Sequence, residues 1–304
     1  MRKHIKLAVL ILFIIGMTLS LLGCSGTKKQ DNIAKDKKQT EQKKPKEEDK
    51  TKDEKKQEKT EEEKIAEAQK EDQKTETLFD ISEIEGGYKI DSYKGDSDEV
   101  VIPSRYKTGK VVEIGARVFK DRKTLRKVTL NEGLKKIGIE AFKGTGIEKI
   151  SMPSTLEEID GEYVEYEDPY GAFAKCKNLK EVKLNDGLKK IGGSAFAESA
   201  IESVEIPKSV KTIGQVAFAQ CSRLQTVALN EGLEEIGIWA FVQTDIKTIV
   251  IPQSVVKIGE ASFFECEQLG TIKCKADAQP NGWHAKWNIK KSSDRHQVVW
   301  GYKD

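Results

Sequence analysis

The sequence has little histidine, cysteine and proline, and its charges nearly cancel. Of 304 residues, three are His, five are Cys and seven are Pro, and the formal net charge is +2. One histidine, His4, lies at the extreme amino terminus, so little material remains for histidine-dependent chemistry. A net charge this close to zero gives no field that attracts nucleic acid through counterion release, so we predict no DNA or RNA binding.

Short motifs that carry catalysis are also missing. The chain contains no H-E-x-x-H, no C-x-x-C and no G-x-x-x-x-G-K. The remaining histidines, His284 and His296, have no nucleophile elbow near them. We therefore predict no enzymatic activity, no cofactor and no metal site, and we keep an enzyme that uses these two histidines as an alternative.

The amino terminus has the features of an export signal. Basic residues precede an apolar run, Leu7 to Leu22, which is shorter than the about 20 residues of a transmembrane helix. The run ends in Leu21-Leu22-Gly23-Cys24, which resembles the lipobox of bacterial lipoproteins. The resemblance implies a signal peptide over 1–23, a diacylglyceryl group on Cys24 and a membrane-anchored chain outside the cytoplasm. An uncleaved anchor or an ordinary signal peptide is the alternative.

Residues 24–78 predict a disordered, charged tether. From Lys28 to Thr77 there are 16 Lys and 16 Asp plus Glu, and large aliphatic residues are almost absent. Such a segment buries too little apolar surface to offset the entropy of ordering. Pairs of Glu and Lys four residues apart between Glu54 and Lys74 predict transient helix within it.

A pattern of 22 and 23 residues repeats from residue 114 onward. An Ile-Gly pair, two variable residues and Ala-Phe or a variant precede an L-x-x-V-x-L strand. The pairs begin at Ile114, Ile137, Ile191, Ile213, Ile236 and Ile258, with Ile159-Asp160 as one further member. One such repeat cannot bury its own apolar face, so the period predicts coils stacked into a β-rich solenoid. One longer interval places an insertion at about 160–168.

This pattern resembles the BspA-like leucine-rich repeats of bacterial and protist surface proteins. The resemblance covers about residues 79–304 and implies a right-handed leucine-rich-repeat coil with a parallel sheet. It also implies adhesion or recognition of a protein or glycan.

The predicted organisation has five parts. These are the signal peptide (1–23), the lipidated cysteine and tether (24–78), an N-terminal capping turn (79–113), the repeats (114–279) and a Trp-rich C-terminal cap (280–304). An aromatic platform for carbohydrate is the alternative interpretation of the three tryptophans in the last part.

Three cysteines, Cys176, Cys221 and Cys266, occupy the same place in alternate coils. With coils about 4.8 Å apart, such residues lie about 10 Å apart, beyond the about 7 Å Cα limit for a disulfide. We predict buried thiols, and a Cys266–Cys274 disulfide stays open.

Two surfaces are candidates for binding. The first is the row of outward strand positions, which runs from basic to mixed to nearly uncharged. Its candidate residues are Lys127, Lys149, Lys183, Glu205, Thr226, Thr248 and Val250. The second is the acidic insertion, which we expect to project from the coil, with candidates Glu162, Tyr163, Glu165, Tyr166, Glu167 and Asp168. Bound Ca²⁺ or a basic partner is possible chemistry there, and a solvated loop or sheet without a ligand is the alternative for both surfaces.

Our interpretation is a lipid-anchored, monomeric solenoid at the cell surface that binds a protein or glycan without catalysis. One alternative is a structural envelope component that interacts with wall polymer or with copies of itself. The other is a cell-wall-acting enzyme.

Overall fold

The computed structural model describes residues 61–165 and 167–303. The predicted signal peptide, Cys24, most of the predicted tether and Tyr166 lie outside the described residues. Residues Glu58–Asp304 form one compact unit.

The unit begins with a helix and a group of short strands. These are α1 (Glu61–Leu78), β1 (Phe79–Ile84), β2 (Gly87–Tyr93), β3 (Glu99–Val101), β4 (Arg105–Tyr106) and β5 (Gly109–Ile114). Strands β1 and β2 pair antiparallel, and β2 pairs parallel with β5.

Helix α1 occupies the last 18 residues of the segment that we predicted to be a disordered tether with transient helix between Glu54 and Lys74. Its C-terminal turns contact the capping strands, which explains the difference. Thr75 is buried, the Asp72 carboxylate accepts the Lys107 backbone N–H at 2.9 Å, and the Lys94 Nζ donates to the Glu76 carbonyl at 2.9 Å. These tertiary contacts offset the ordering entropy that the local sequence alone does not.

The repeats contribute fifteen strands of two to four residues. They are β6 (Lys127–Thr129), β7 (Lys136–Ile137), β8 (Lys149–Ser151), β9 (Glu158–Ile159), β10 (Gly161–Glu162), β11 (Tyr170–Gly171), β12 (Glu181–Lys183), β13 (Lys190–Ile191), β14 (Ser203–Ile206), β15 (Thr212–Ile213), β16 (Thr226–Leu229), β17 (Glu235–Ile236), β18 (Ile249–Ile251), β19 (Lys257–Ile258) and β20 (Thr271–Cys274).

Each coil places one strand in each of two sheets, because the chain alternates between them. The ladder sheet contains β1, β2, β5, β7, β9, β13, β15, β17 and β19 in that order, with β4 paired to β5. The face sheet contains β3, β6, β8, β12, β14 and β16, and an isolated bridge between Thr226 and Thr248 continues it into β18, β20 and β23 (Gln297–Val299). Within the repeats all neighbouring strands of both sheets run parallel, so the predicted β-rich solenoid with a parallel sheet is confirmed.

A column of phenylalanines forms the centre of the core. The six rings from Phe119 to Phe241 and the Phe263 ring that follows them have centroids 5.0 Å to 5.6 Å apart, with neighbouring planes within 12°. Backbone bonds join neighbouring coils beside the rings, as between the Phe218 N–H and the Ala240 carbonyl at 2.8 Å. The repeated A-F therefore supplies both the filling of the core and the spacing of the coils.

The glycine after each repeated isoleucine is required by the close approach of neighbouring coils. A Cβ on Gly237 would lie 2.5 Å from the Gln215 backbone nitrogen, which is closer than real Cβ contacts. A side chain here would therefore push the coils apart.

The C-terminal part closes the last coil. It contains β21 (Ile289–Lys291), β22 (Asp294–Arg295) and β23 (Gln297–Val299). Trp283 and Trp287 are buried, and the Trp287 ring meets the Phe263 ring edge-on at 6.2 Å. Their rings cover the end of the phenylalanine column. A carbohydrate platform requires open ring faces, and these two rings do not provide them.

Candidate binding surfaces

The outward residues of the face sheet form two columns, one residue of each column per strand. The first column contains Glu99, Lys127, Lys149, Glu181, Ser203, Thr226, Thr248, Thr271 and Gln297. The second column contains Val101, Thr129, Ser151, Lys183, Glu205, Ala228, Val250, Lys273 and Val299. All seven residues predicted for this face therefore lie on the same side of one sheet.

The first column changes character halfway along the solenoid. Its first four residues pair by charge, with Lys127 Nζ 2.9 Å from the Glu99 carboxylate and Lys149 Nζ 2.8 Å from that of Glu181. From Ser203 onward the column carries hydroxyl groups and one amide. The expectation that the face begins basic is wrong, because Glu99 neutralises its first lysine.

Glu99 was missed because it precedes the first full repeat. The signal for it was present, since Val100-Val101-Ile102-Pro103 has the form of a face strand and its outward neighbours belong to the same columns.

The acidic insertion lies against the solenoid and does not project from it as expected. Tyr163 packs beside Ala197 and Val216 and meets the Trp239 ring edge-on at 6.1 Å. Trp239 adopts a positive φ of 53°, a backbone conformation that bulky side chains rarely take. The contact with Tyr163 gives this tryptophan a role in holding the insertion across the intervening coils.

A polar contact holds the other side of the insertion. Asp168 accepts a hydrogen bond from Lys175 Nζ at 2.8 Å and lies 4.0 Å from Lys143 Nζ. Glu167 accepts the Tyr170 hydroxyl, and Lys143 Nζ lies 5.5 Å from the centre of the Tyr170 ring. Of the predicted insertion residues, Tyr163, Glu167 and Asp168 therefore make intramolecular contacts, and the side chains of Glu162, Glu165, Glu167 and Asp168 are exposed.

A buried carboxylate lies beneath this contact. The Glu140 side chain is fully buried and accepts hydrogen bonds from Lys143 Nζ at 2.6 Å, Arg117 Nε at 2.6 Å and Lys120 Nζ at 2.9 Å. Burial opposes ionisation of Glu140, but the hydrogen bonds from these three cations outweigh it and lower its pKa to about 2. The carboxylate joins neighbouring coils and is closed to solvent, so its role is structural.

The four cysteines of the described region are buried and free, which confirms the predicted thiols and removes the Cys266–Cys274 disulfide. The thiols of Cys176, Cys221 and Cys266 each donate to a phenylalanine carbonyl of the preceding coil, as Cys221 Sγ does to Phe196 at 3.1 Å. Burial raises the pKa of Cys176 and Cys221 to about 11. These thiols therefore do not ionise near neutral pH and are not nucleophiles.

One of the two histidines of the cap is buried against the last coil. His296 is buried, and its ring nitrogens lie 3.2 Å and 3.1 Å from the carbonyls of Leu269 and Phe263. Burial lowers the pKa of His296, although these carbonyl contacts oppose the shift. The imidazole ties the cap to the last coil and has no free nitrogen for a substrate.

Within the described ranges, no helix is long and apolar enough to cross a membrane. The same residues contain no group of three or more His, Cys, Asp or Glu side chains that could hold a metal ion.

Comparison with known proteins places these features in a family. Residues 96–167 and 169–270 match the BspA type leucine rich repeat region in six copies. No curated protein matches the chain.

Similar solved structures are bacterial repeat proteins. A leucine-rich repeat protein from Bacteroides ovatus is 21% identical with a TM-score of 0.47, and the match covers 74% of this chain and 70% of that one. A leucine rich cell surface protein from Faecalibacterium prausnitzii is 19% identical with a TM-score of 0.33, covering 64% of this chain and 74% of that one.

Proposed function

Because this chain belongs to the BspA-type leucine-rich repeat family, whose members are binding or recognition scaffolds, we propose that it is a lipid-anchored binding protein of the bacterial surface. In this proposal Cys24 carries the lipid, and the face sheet recognises a surface protein or glycan without catalysis.

The observation that carries the proposal is the uncharged half of the first column of the face sheet. Five consecutive first-column positions, from Ser203 to Gln297, carry short hydroxyl groups or an amide. Exposed hydroxyl and amide groups form hydrogen bonds with a ligand at a small desolvation cost, whereas paired charges must first be separated. We therefore place ligand contact at Thr226, Thr248 and Val250.

The test uses the compact unit Glu58–Asp304 and measures its saturable binding to purified wall polysaccharide and to purified host matrix proteins. Replacing Thr226, Thr248 and Val250 by Glu should lower the affinity of a saturable partner by about tenfold or more. The matched control replaces Gln220, Ser222 and Gln253 by Glu, which adds the same charge at exposed positions outside the two columns.

Loss with the face variant and retention with the control would support the proposal. Equal binding by both variants would overturn recognition by the face sheet, and retention by wall polysaccharide alone would favour the structural envelope component. For the anchor, Cys24→Ser should move the protein out of the detergent-soluble membrane fraction, and unchanged partitioning would overturn lipidation at this residue.

A further inference from the structure

Three equivalent turns of the solenoid can be compared side by side. Each has the sequence Asn-acid-Gly-Leu and faces a Pro-x-Ser/Thr segment of the next coil. The turns are 131–134, 185–188 and 230–233, and the facing segments are 153–155, 207–209 and 252–254.

In the first and third turns, one hydroxyl group forms two hydrogen bonds that join the turn to the next coil, and we call this pair of bonds a staple. Thr155 Oγ1 accepts the Gly133 N–H at 2.9 Å and donates to the Leu134 carbonyl at 2.8 Å. In the third turn, Ser254 Oγ accepts the Gly232 N–H at 3.0 Å and donates to the Leu233 carbonyl at 2.7 Å.

A glutamate reinforces each of these staples. The Glu132 carboxylate accepts the Ser154 backbone N–H at 3.0 Å, and that of Glu231 accepts the Ser254 backbone N–H at 3.2 Å. Both glutamates therefore hold the facing segment against the turn.

The middle turn lacks this staple. Ser209, the equivalent hydroxyl, has no hydrogen-bond partner in the described residues, and neither does Asn185 Oδ1, although Asn185 is buried. Gly133 and Gly232 have φ values of +106° and +114°, whereas Gly187 does not adopt a positive φ. The middle turn therefore has a different backbone conformation.

The acid of the middle turn is Asp186, where the other two turns have Glu. Its side chain is one methylene shorter, so its carboxylate is too short to reach the facing backbone N–H as Glu132 and Glu231 do. We attribute the missing staple to this shorter side chain.

An open cleft lies at the unstapled step. Its volume is about 810 Å³, and its lining includes Lys183, Asp186, Glu205 and Lys208. None of these four side chains forms an ion pair within the described residues. On the face sheet the other charged residues are engaged, since four form ion pairs and Lys273 Nζ lies 4.5 Å from the centre of the Tyr302 ring.

We propose that this cleft binds an extended peptide segment that carries charges of both signs. The proposal rests on the surface-recognition function proposed above and names the class of ligand for it. Each of the two coils offers one cation and one carboxylate, which complement such a segment. Among the described residues that line the cleft there is no aromatic side chain, and sugar rings are generally held on aromatic faces.

The experiment tests the cleft by lengthening the acid of the middle turn by one methylene. Asp186→Glu should restore the staple, which slows hydrogen exchange at the Gly187 backbone N–H. Random peptides displayed on phage are selected on the compact unit, and the dissociation constants of the selected peptides are then measured for both forms. We expect peptides with both signs of charge whose affinity falls about tenfold or more in Asp186→Glu.

Glu231→Asp is the matched control, because it makes the reverse change at the third turn and should leave these affinities unchanged. Exchanging the charges, with Lys183→Glu and Glu205→Lys together, should invert the charge order of the selected peptides and does not depend on closure of the cleft.

Equal affinity for the wild type and Asp186→Glu despite slowed exchange at Gly187 would overturn the cleft as a binding site. Unchanged exchange at Gly187 would overturn the explanation through Asp186. If a glycan array yields ligands that Asp186→Glu loses, the peptide assignment is wrong. Loss of a natural partner only in the variant with Glu at 226, 248 and 250 would leave the proposed function standing without the cleft.

Discussion

The ladder sheet and the face sheet are built by the same coils at the same spacing, yet they use their outward positions differently. On the ladder sheet, the residues that precede the buried isoleucines are Glu113, Lys136, Glu158, Lys190, Thr212, Glu235 and Lys257. These charges alternate and pair, with Lys190 Nζ 2.8 Å from Glu158 and Lys257 Nζ 2.7 Å from Glu235. The face sheet pairs its charges only in the first half.

This difference separates two tasks of a repeat protein, which are holding the coils together and contacting a ligand. Alternating charges along the ladder sheet satisfy one another across neighbouring strands and leave little for a ligand. The second half of the first column carries hydroxyl groups and one amide instead, and Lys183 and Glu205 of the second column form no ion pair within the described residues. The scaffold is periodic, and the candidate recognition surface is the part where the periodic pairing stops.

The largest expected effect comes from the core that both sheets share. Phe218→Ala should lower the free energy of unfolding by about 3–5 kcal/mol, because it leaves a cavity in the phenylalanine column. Chemical denaturation measures the loss. Tyr163→Ala removes a ring outside the column and should cost clearly less, so equal losses would contradict the central role of the column.

Glu140→Gln should have the next largest effect, about 3 kcal/mol, because Lys143 would stay buried without its counter-charge. The pKa of Glu140 falls from 4.5 to about 2 on folding, so its contribution is complete above pH 4.5 and is lost as the pH falls toward 2. Unfolding measured against pH should therefore show the wild type and the variant converging in acid.

The matched change is Glu198→Gln, at a partly exposed pair with Lys177. It should cost little at any pH, and a loss as large as that of Glu140→Gln would show that burial does not govern the effect.

A direct comparison of the two sheets uses one lysine on each. Glu158→Lys places three lysines in a row on the ladder sheet and should cost about 1 kcal/mol through repulsion across the strands. Thr226→Lys on the face sheet should change stability by less than about 0.5 kcal/mol. Thermal unfolding distinguishes them, and equal effects would mean that charge alternation does not stabilise the ladder sheet.

The smallest effect is expected at the exposed pair of the face sheet. Lys127→Ala should lower stability by about 0.5 kcal/mol or less, because solvent screens its contact with Glu99. The loss should vanish in high salt, whereas a salt-independent loss would point to packing of the lysine stem.

Periodicity predicted the regular parts of the molecule well. Three kinds of residue recur at a fixed place of the repeat: the phenylalanines, the glycines after isoleucine and the buried cysteines. The surroundings of one member therefore predict those of the others. The seven face residues were found for the same reason. The expectation failed where the chain departs from the repeat, at Glu99, at helix α1 and in the insertion.

Those failures have a common physical origin. Tyr163 meets Trp239, which is 76 residues away in the sequence, and no local pattern connects them. The cations around Glu140, which are Arg117, Lys120 and Lys143, give another example. They contact one buried carboxylate only because neighbouring coils bring them together.

The sequence by itself determined the solenoid, its coil spacing and the face sheet, because repeated apolar residues are buried only when the coils stack in register. The ladder sheet was not predicted, since its strands are only two residues long within the repeats. Only the tertiary structure decided which charges pair, where the insertion lies and which turn stays unstapled. These features depend on contacts between residues that lie far apart in the sequence, as Tyr163 and Trp239 show.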